Sequence, residues 1–345
     1  MLSSDCTSGV FPLPRGGSII LHEVTGVSRE ALLKGLARLT SPRDRNGHPG
    51  PPRYAGPNPV SLERSSLQKL AAAAGAGTLV WGAEKTDGTR ALLMACTLAG
   101  VKVCVAWTRR LSCHLLPLKG FSNAGFQGTV LDGEIVLNRQ TGRMEFLVFD
   151  AVVAGGCGVQ QRPFSGRIRA AQLILKQYKP CEGDPLTLKV KSFLPLNAGL
   201  FGSLRSLLTE QGRAYNCDGI VFMPEHTPVI FGRHELLLKW KMHHTLDFLV
   251  GDRGELSAYD TQTRAPRSVG KLVGGPFPPP GSIAECELVE TGLWRLVEVR
   301  HDKSRANDTQ TLSRTMTNIL EAITLDQIEA VVCGGRPAVP VVAVQ

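Results

Sequence analysis

From residue 78 onward, short apolar runs alternate with turn signals. The runs cover residues 78–83, 91–98, 101–107, 129–131, 135–137, 146–153, 219–223 and 236–241. Their length and β-branched content predict strands. A helical spacing of apolar residues interrupts them at 167–179, and another helix is expected near 201–211. Upstream, 28–39 and 61–74 read as helices that begin at serines, and the Pro-, Gly- and Arg-rich stretch 41–59 reads as a loop. After Lys241 come further strand-like runs at 247–251, 255–260, 282–288 and 293–299, with a Gly/Pro-rich loop at 270–280 and a helix at 308–323. About five short strands in roughly 60 residues suit a small barrel. The expected fold class is α+β: an antiparallel-rich domain followed by a C-terminal barrel of OB type, rather than regular βαβ winding.

Composition narrows the class. With 345 residues, 43% of them hydrophobic and 20% charged, the chain matches a globular protein with room for two domains. A net charge of +9 suits a polyanionic partner, nucleic acid before nucleotide. Nine cysteines without a CxxC pair argue against a disulfide framework or a zinc site. No apolar run reaches the length of a membrane helix, and the first 17 residues lack a secretory pattern.

The chemistry centres on Glu84-Lys85-Thr86-Asp87-Gly88-Thr89-Arg90, between two apolar runs. Read alone, it could be a charged turn, because Asp-Gly is a common hairpin dipeptide. As a site, it offers Lys85 as a nucleophile. A lysine amine attacks only when deprotonated, which calls for burial or neighbouring cations. Suitable partners recur at strand edges further along. Asp132-Gly133-Glu134 and Asp218-Gly219 supply carboxylates, and Lys239 and Lys241 share one face of a strand. Each of these fragments alone is more often a solvated turn or face; their order changes the odds.

That order, KTDGTR, LDGEIV, FLVFD, DGIVF, LLKWK and then Arg300-His301-Asp302-Lys303, resembles the covalent nucleotidyltransferases: RNA capping guanylyltransferases and ATP-dependent polynucleotide ligases. The resemblance runs from about Pro57 to Asn307. Several details resemble the capping branch: Pro57-Asn58-Pro59-Val60-Ser61, the Thr in KTDGTR, Arg162-Pro163-Phe164, and Trp294 ahead of Arg300. Ala306 stands where that branch usually has a proline. The alternatives are an ATP-dependent RNA or DNA ligase and a non-enzymatic RNA- or polymerase-binding module.

The resemblance implies lysyl-GMP formation on Lys85 from GTP, with loss of pyrophosphate, then transfer to 5′-diphosphate RNA to give a GpppN cap. It implies Mg²⁺ or Mn²⁺ at Glu134 and Asp218. Arg90 would hold the ribose or a nearby phosphate, Arg109 the triphosphate (with Arg110 its rival), and Glu134 the ribose or metal. Phe149 would stack on guanine unless it is a core residue. Lys191, rivalled by Lys189, would reach base or phosphate. Lys239 and Lys241 would grip the α-phosphate, and Arg300, Asp302 and Lys303 the pyrophosphate. The implied domains are 1–55 as an N-terminal extension without an assigned role, 56–243 as the nucleotidyltransferase domain, 244–330 as the OB-fold domain with its helix, and 331–345 as a tail, with a hinge near 243–245. Expected partners are RNA, a separate RNA triphosphatase and the phosphorylated tail of RNA polymerase II, with no membrane. The setting would be nuclear, or cytoplasmic for a viral protein.

Overall fold

The computed structural model describes residues 5–12, 18–196, 198–209, 213–301 and 303–333. The chain folds as two compact units. Residues 1–60, 66–240 and 328–345 form the first, and residues 61–65 and 241–327 the second.

The elements begin with β1 (Cys6–Pro12), β2 (Ser18–Val24), α1 (Gly26–Thr40), β3 (Pro57–Ser61), α2 (Arg64–Gly75) and β4 (Val80–Thr86). There follow β5 (Thr89–Leu98), β6 (Val101–Thr108), β7 (Cys113–Leu115), β8 (Gln127–Leu137), β9 (Met144–Ala154), β10 (Cys157–Gly158) and α3 (Phe164–Leu175). β11 (Thr187–Val190), β12 (Leu194–Pro195), α4 (Ala198–Thr209), β13 (Cys217–Pro224) and β14 (Gly232–Lys241) lead toward the second unit. That unit holds β15 (Thr245–Val250), β16 (Glu255–Asp260), β17 (Ala265–Leu272), β18 (Ile283–Glu290), β19 (Leu293–Val299) and α5 (Thr309–Glu321), and α6 (Leu325–Cys333) ends the described chain.

Two sheets build the first unit. The larger runs β1-β2-β7-β6-β5-β8-β9-β10 with antiparallel pairing, and β11 joins β9 in parallel. The smaller runs β12-β4-β13-β14-β3. In β5, Ala91 to Ala95 are buried without interruption, because the large sheet is covered on both faces. On one face Leu92, Met94, Val105, Trp107 and Val130 meet Leu32 and Leu36 of α1. On the other, Ala91, Leu93, Leu131, Ile135 and Phe146 meet Ala170 and Ala171 of α3. Thus β1 and β2 extend the sheet and α1 covers one of its faces, in a segment with no assigned role in the sequence.

Beneath α3 lies a buried ion pair. Arg167 donates to Asp150 from Nε at 2.7 Å and from Nη2 at 3.0 Å, and Nη1 donates to the carbonyls of Arg162 and Thr227. Every side of the guanidinium is answered, which makes so deep a charge tolerable.

The second unit is a closed barrel, β15-β16-β17-β19-β18, around Leu246, Phe248, Leu256, Ala284 and Trp294. β17 overlaps the region read as loop, because Gly270 and its polar neighbours conceal a strand whose residues Ala265 to Ser268 are exposed. Asp308 caps α5, its side chain accepting from Thr311 N at 2.6 Å. All nine cysteines are free thiols. Among the described residues, no helix is long and apolar enough to cross a membrane.

Replacing Arg167 by Ala strands the Asp150 charge and should lower the free energy of unfolding by about 3–5 kcal/mol. Urea titration of parent and variant measures this, and a loss under about 1 kcal/mol would show that the pair contributes little.

Candidate functional site

Lys85 lies on β4, one residue before the strand ends. The following Asp87-Gly88 does not close a hairpin: β4 belongs to the small sheet and β5 to the large one. The turn therefore carries the chain from one sheet to the other. Asp87 N donates to the Asn216 carbonyl at 2.9 Å, and a Cβ on Gly88 would fall 2.5 Å from the Ile135 carbonyl oxygen. Only glycine fits so close to β8.

Asp218 reaches Lys85 through a bulge. Thr86 pairs with Cys217 and Lys85 with Gly219, so Asp218 is the additional residue between them. Bulges re-aim side chains in this way. Lys85 Nζ donates to Asp218 Oδ1 at 2.7 Å, with both side chains about one-fifth exposed.

Thr86 is the next link. Its buried hydroxyl donates to Glu134 Oε2 and accepts from Lys191 Nζ at 2.9 Å. Three elements thereby converge, with Lys191 just beyond β11, Thr86 on β4 and Glu134 on β8. Burial lowers the Lys191 pKa and the like charge of Lys85 adds to this, against the opposing pull of Glu134 and Glu84. Lys189, its rival in the sequence, instead pairs with Glu145 at 2.7 Å.

Arg90, at the start of β5, is gripped by Asp132 of β8. Its Nε donates to Oδ1 at 2.9 Å, Nη2 to Oδ2, and Nη1 to the Pro57 carbonyl at 2.8 Å. Burial alone would lower the Arg90 pKa; the buried Asp132 carboxylate outweighs it and holds the value above normal, so this cation is permanent. Its guanidinium lies 5.5 Å from the Tyr54 ring centroid and 5.2 Å from that of Phe149. A Cβ on Gly56 would collide with Asp132 Oδ2 and, at 2.6 Å, with Arg90 Nη2, so this close approach also needs glycine.

Arg109 lies within electrostatic range of Arg90, Tyr54, Asp132 and Glu134; burial and the Arg90 charge lower its pKa. Phe149 is half-buried and touches Arg90 rather than sitting in the apolar core. Lys239 and Lys241 lie near the end of β14, and the second unit begins at Lys241. Within that unit Arg300 Nη1 donates to Asp247 at 3.3 Å and Glu285 at 3.1 Å, while Lys303 donates to Asp247. Asp302 lies outside the described residues.

The structure thus gathers Lys85, Arg90, Arg109, Glu134, Phe149, Lys191 and Asp218 in the first unit. Tyr54, Thr86 and Asp132 are partners that the sequence reading left without roles. Thr86 and Asp132 stood inside quoted motifs, and Tyr54 three residues ahead of one. What they lacked was any sign of which side chains they would face.

A model of the mRNA capping enzyme catalytic domain matches residues 21–243, and one of the mRNA capping enzyme C-terminal domain matches 250–328. The mRNA-capping enzyme subunit alpha of Neurospora crassa is 27% identical over 336 residues, covering 78% of this chain and 82% of the relative. The Saccharomyces cerevisiae subunit alpha is 24% identical, covering 81% and 78%. Among solved structures, mycobacterial DNA ligase D complexed with ATP and MES is 15% identical with a TM-score of 0.44, covering 77% of this chain and 96% of that one. Likeness at that level does not separate GTP from ATP. The catalytic-domain match spans well over half of the sequence, and the chain belongs to the mRNA capping enzyme family, nucleotidyltransferases of the GTP:RNA guanylyltransferase type.

Proposed function

We propose that Lys85 carries the GMP in this chain's guanylyl transfer. The observation that supports this reading best is the placement of Lys85 Nζ on Asp218, beside the Lys191–Thr86–Glu134 chain. In the first step, Nζ attacks the α-phosphorus of GTP. A P–N bond forms, the bond to the pyrophosphate oxygen breaks, and the amine sheds its proton. Asp218 Oδ1 is an acceptor within hydrogen-bond reach of that proton. In the second step, a terminal oxygen of a 5′-diphosphate RNA attacks the same phosphorus. The P–N bond then breaks, and the regenerated amine takes a proton back.

Charge spreads over phosphate oxygens in both steps, so fixed cations are the main resource. Arg90 is the most rigidly held of them, with Asp132, the Pro57 carbonyl and two rings around it. We assign it to the ribose or an adjacent phosphate, Arg109 to the triphosphate and Phe149 to stacking on guanine. Lys191 is assigned to base or phosphate, and Lys239 and Lys241 to the α-phosphate. Arg300, Asp302 and Lys303 are assigned to the departing pyrophosphate.

Mg²⁺ or Mn²⁺ fits the donor chemistry of Glu134 and Asp218, two part-exposed carboxylates. Among the described residues, no group of three or more His, Cys, Asp or Glu side chains is placed to hold a metal. A hard cation held by these two carboxylates would take its remaining ligands from phosphate and water. When bound, it would supply charge neutralisation at the α-phosphate.

We read 56–243, with the preceding strands and α1, as the nucleotidyltransferase domain and 244–330 as an OB-type domain. The barrel order of first, second, third, fifth and fourth strand supports the latter. The relatives are named as alpha subunits, which supports a separate triphosphatase partner. The phosphorylated tail of RNA polymerase II and a nuclear setting follow from the same reading.

After incubation with [α-³²P]GTP and Mg²⁺ and denaturation, the parent chain should retain label and Lys85→Ala should not. Label retained by the variant, or label accepted only from [α-³²P]ATP, would refute the assignment.

The depressed Lys191 pKa has a pH signature. Below 10.5 the folded chain binds fewer protons at this site than the unfolded chain, so its contribution to stability rises with pH toward that value. Lys191→Met lacks this dependence. Any stability advantage of the variant at about pH 7 should shrink by about pH 10 in urea unfolding. A constant difference between the two proteins at those pH values counts against the shift.

A further inference from the structure

Residues 26–56 hold six Lys and Arg against two Asp and Glu. Asp44 is tied to its own loop, accepting from the backbone N–H groups of Asn46 and His48, both at 2.8 Å. The segment is ordered by its own bonds. Gly50 N donates to the Pro42 carbonyl at 3.0 Å, Ser41 Oγ to the Pro51 carbonyl at 3.1 Å, and Arg43 to the Gly47 carbonyl at 2.8 Å. Arg38, Arg45 and Arg53 are exposed and make no ion pair among the described residues.

This basic strap begins and ends beside the site. Its last turn delivers Tyr54 to Asp132 and Arg90, so Arg53 is one residue away from that cluster. At the other end, Arg29 at the start of α1 donates to the Leu111 carbonyl at 2.8 Å. It thereby ties the helix to the turn bearing Arg109, which itself senses Arg90 and Tyr54.

We propose that this strap and the exposed face of α1 bind the RNA acceptor downstream of its 5′ end, holding backbone phosphates as the terminus reaches Lys85. The proposal rests on the RNA-acceptor reading of the site. Three features favour RNA. Five of the six cations are arginines, suited to bidentate grip on phosphate. They form a series rather than one pocket, as successive phosphodiesters require. And the series begins at the reacting end, where an acceptor must be and a docked peptide need not be. No base-reading group is implied, so the contact is to backbone and insensitive to sequence.

The test is Arg38→Gln/Arg45→Gln/Arg53→Gln in the full chain, assayed with a 5′-diphosphate 20-mer and a 5′-diphosphate dinucleotide. Lysyl-GMP formation from GTP and transfer to the dinucleotide should match the parent. KM for the 20-mer should rise about tenfold at moderate salt, and its logarithmic salt slope should flatten by about 2. An unchanged KM for the 20-mer, or an equal rise for both acceptors, overturns the proposal. So does lost binding of a phosphorylated acidic peptide with 20-mer transfer intact, which would assign the strap to a peptide. A parent chain that forms no lysyl-GMP would refute the guanylyltransferase reading and this surface with it.

Discussion

The passage of the chain from one sheet to the other at Asp87-Gly88 is the constraint on which the site depends. It sets Lys85 and Thr86 at the end of β4 in the small sheet and, four residues after Thr86, Arg90 at the start of β5 in the large one. Had β4 and β5 been hairpin neighbours, the lysine and the arginine would have shared one surface. Instead each sheet brings its own counter-charge: Asp218 for Lys85, Asp132 for Arg90. Glycine at position 88 is required because β8 passes too near for any side chain.

Around that crossing, the two counter-charges are held differently. Arg90 and Asp132 are locked by paired bonds and by burial, and neither can turn away cheaply. Lys85 and Asp218 are each about one-fifth exposed, so solvent reaches this pair. Lys191 lies between these extremes, buried yet joined to Glu134 through the hydroxyl of Thr86.

Much of this was legible in the sequence, and the reason differs from element to element. The strands carrying Lys85, Glu134, Phe149 and Asp218 announce themselves by apolar runs and by the order of short charged motifs. The helix at α5 is marked by Asp308, which caps it as spacing suggests. β1 and β17 were not legible, because Thr7, Ser8 and Gly9 in the one and Ala265 to Ser268 in the other are exposed residues without an apolar run; β2 alternates in the fold, but its exposed Ile20 hides that alternation in the sequence. Within the site, residue types were readable but pairings were not. Nothing in a linear pattern says that Asp132 faces Arg90, or that the Asp-Gly turn joins two sheets rather than two neighbours. Those facts arise from tertiary register, which a bulge of a single residue at Asp218 is enough to alter.

The bond between Lys85 and Asp218 spans 133 positions of sequence. A ribosome therefore makes Lys85 long before it makes Asp218, and Lys191 arrives between them. During synthesis, the growing chain presents Lys85 without its carboxylate partner until β13 can pair with β4. A product truncated before β13 therefore carries the KTDGTR segment without Asp218, and so without the ion pair that the folded unit provides.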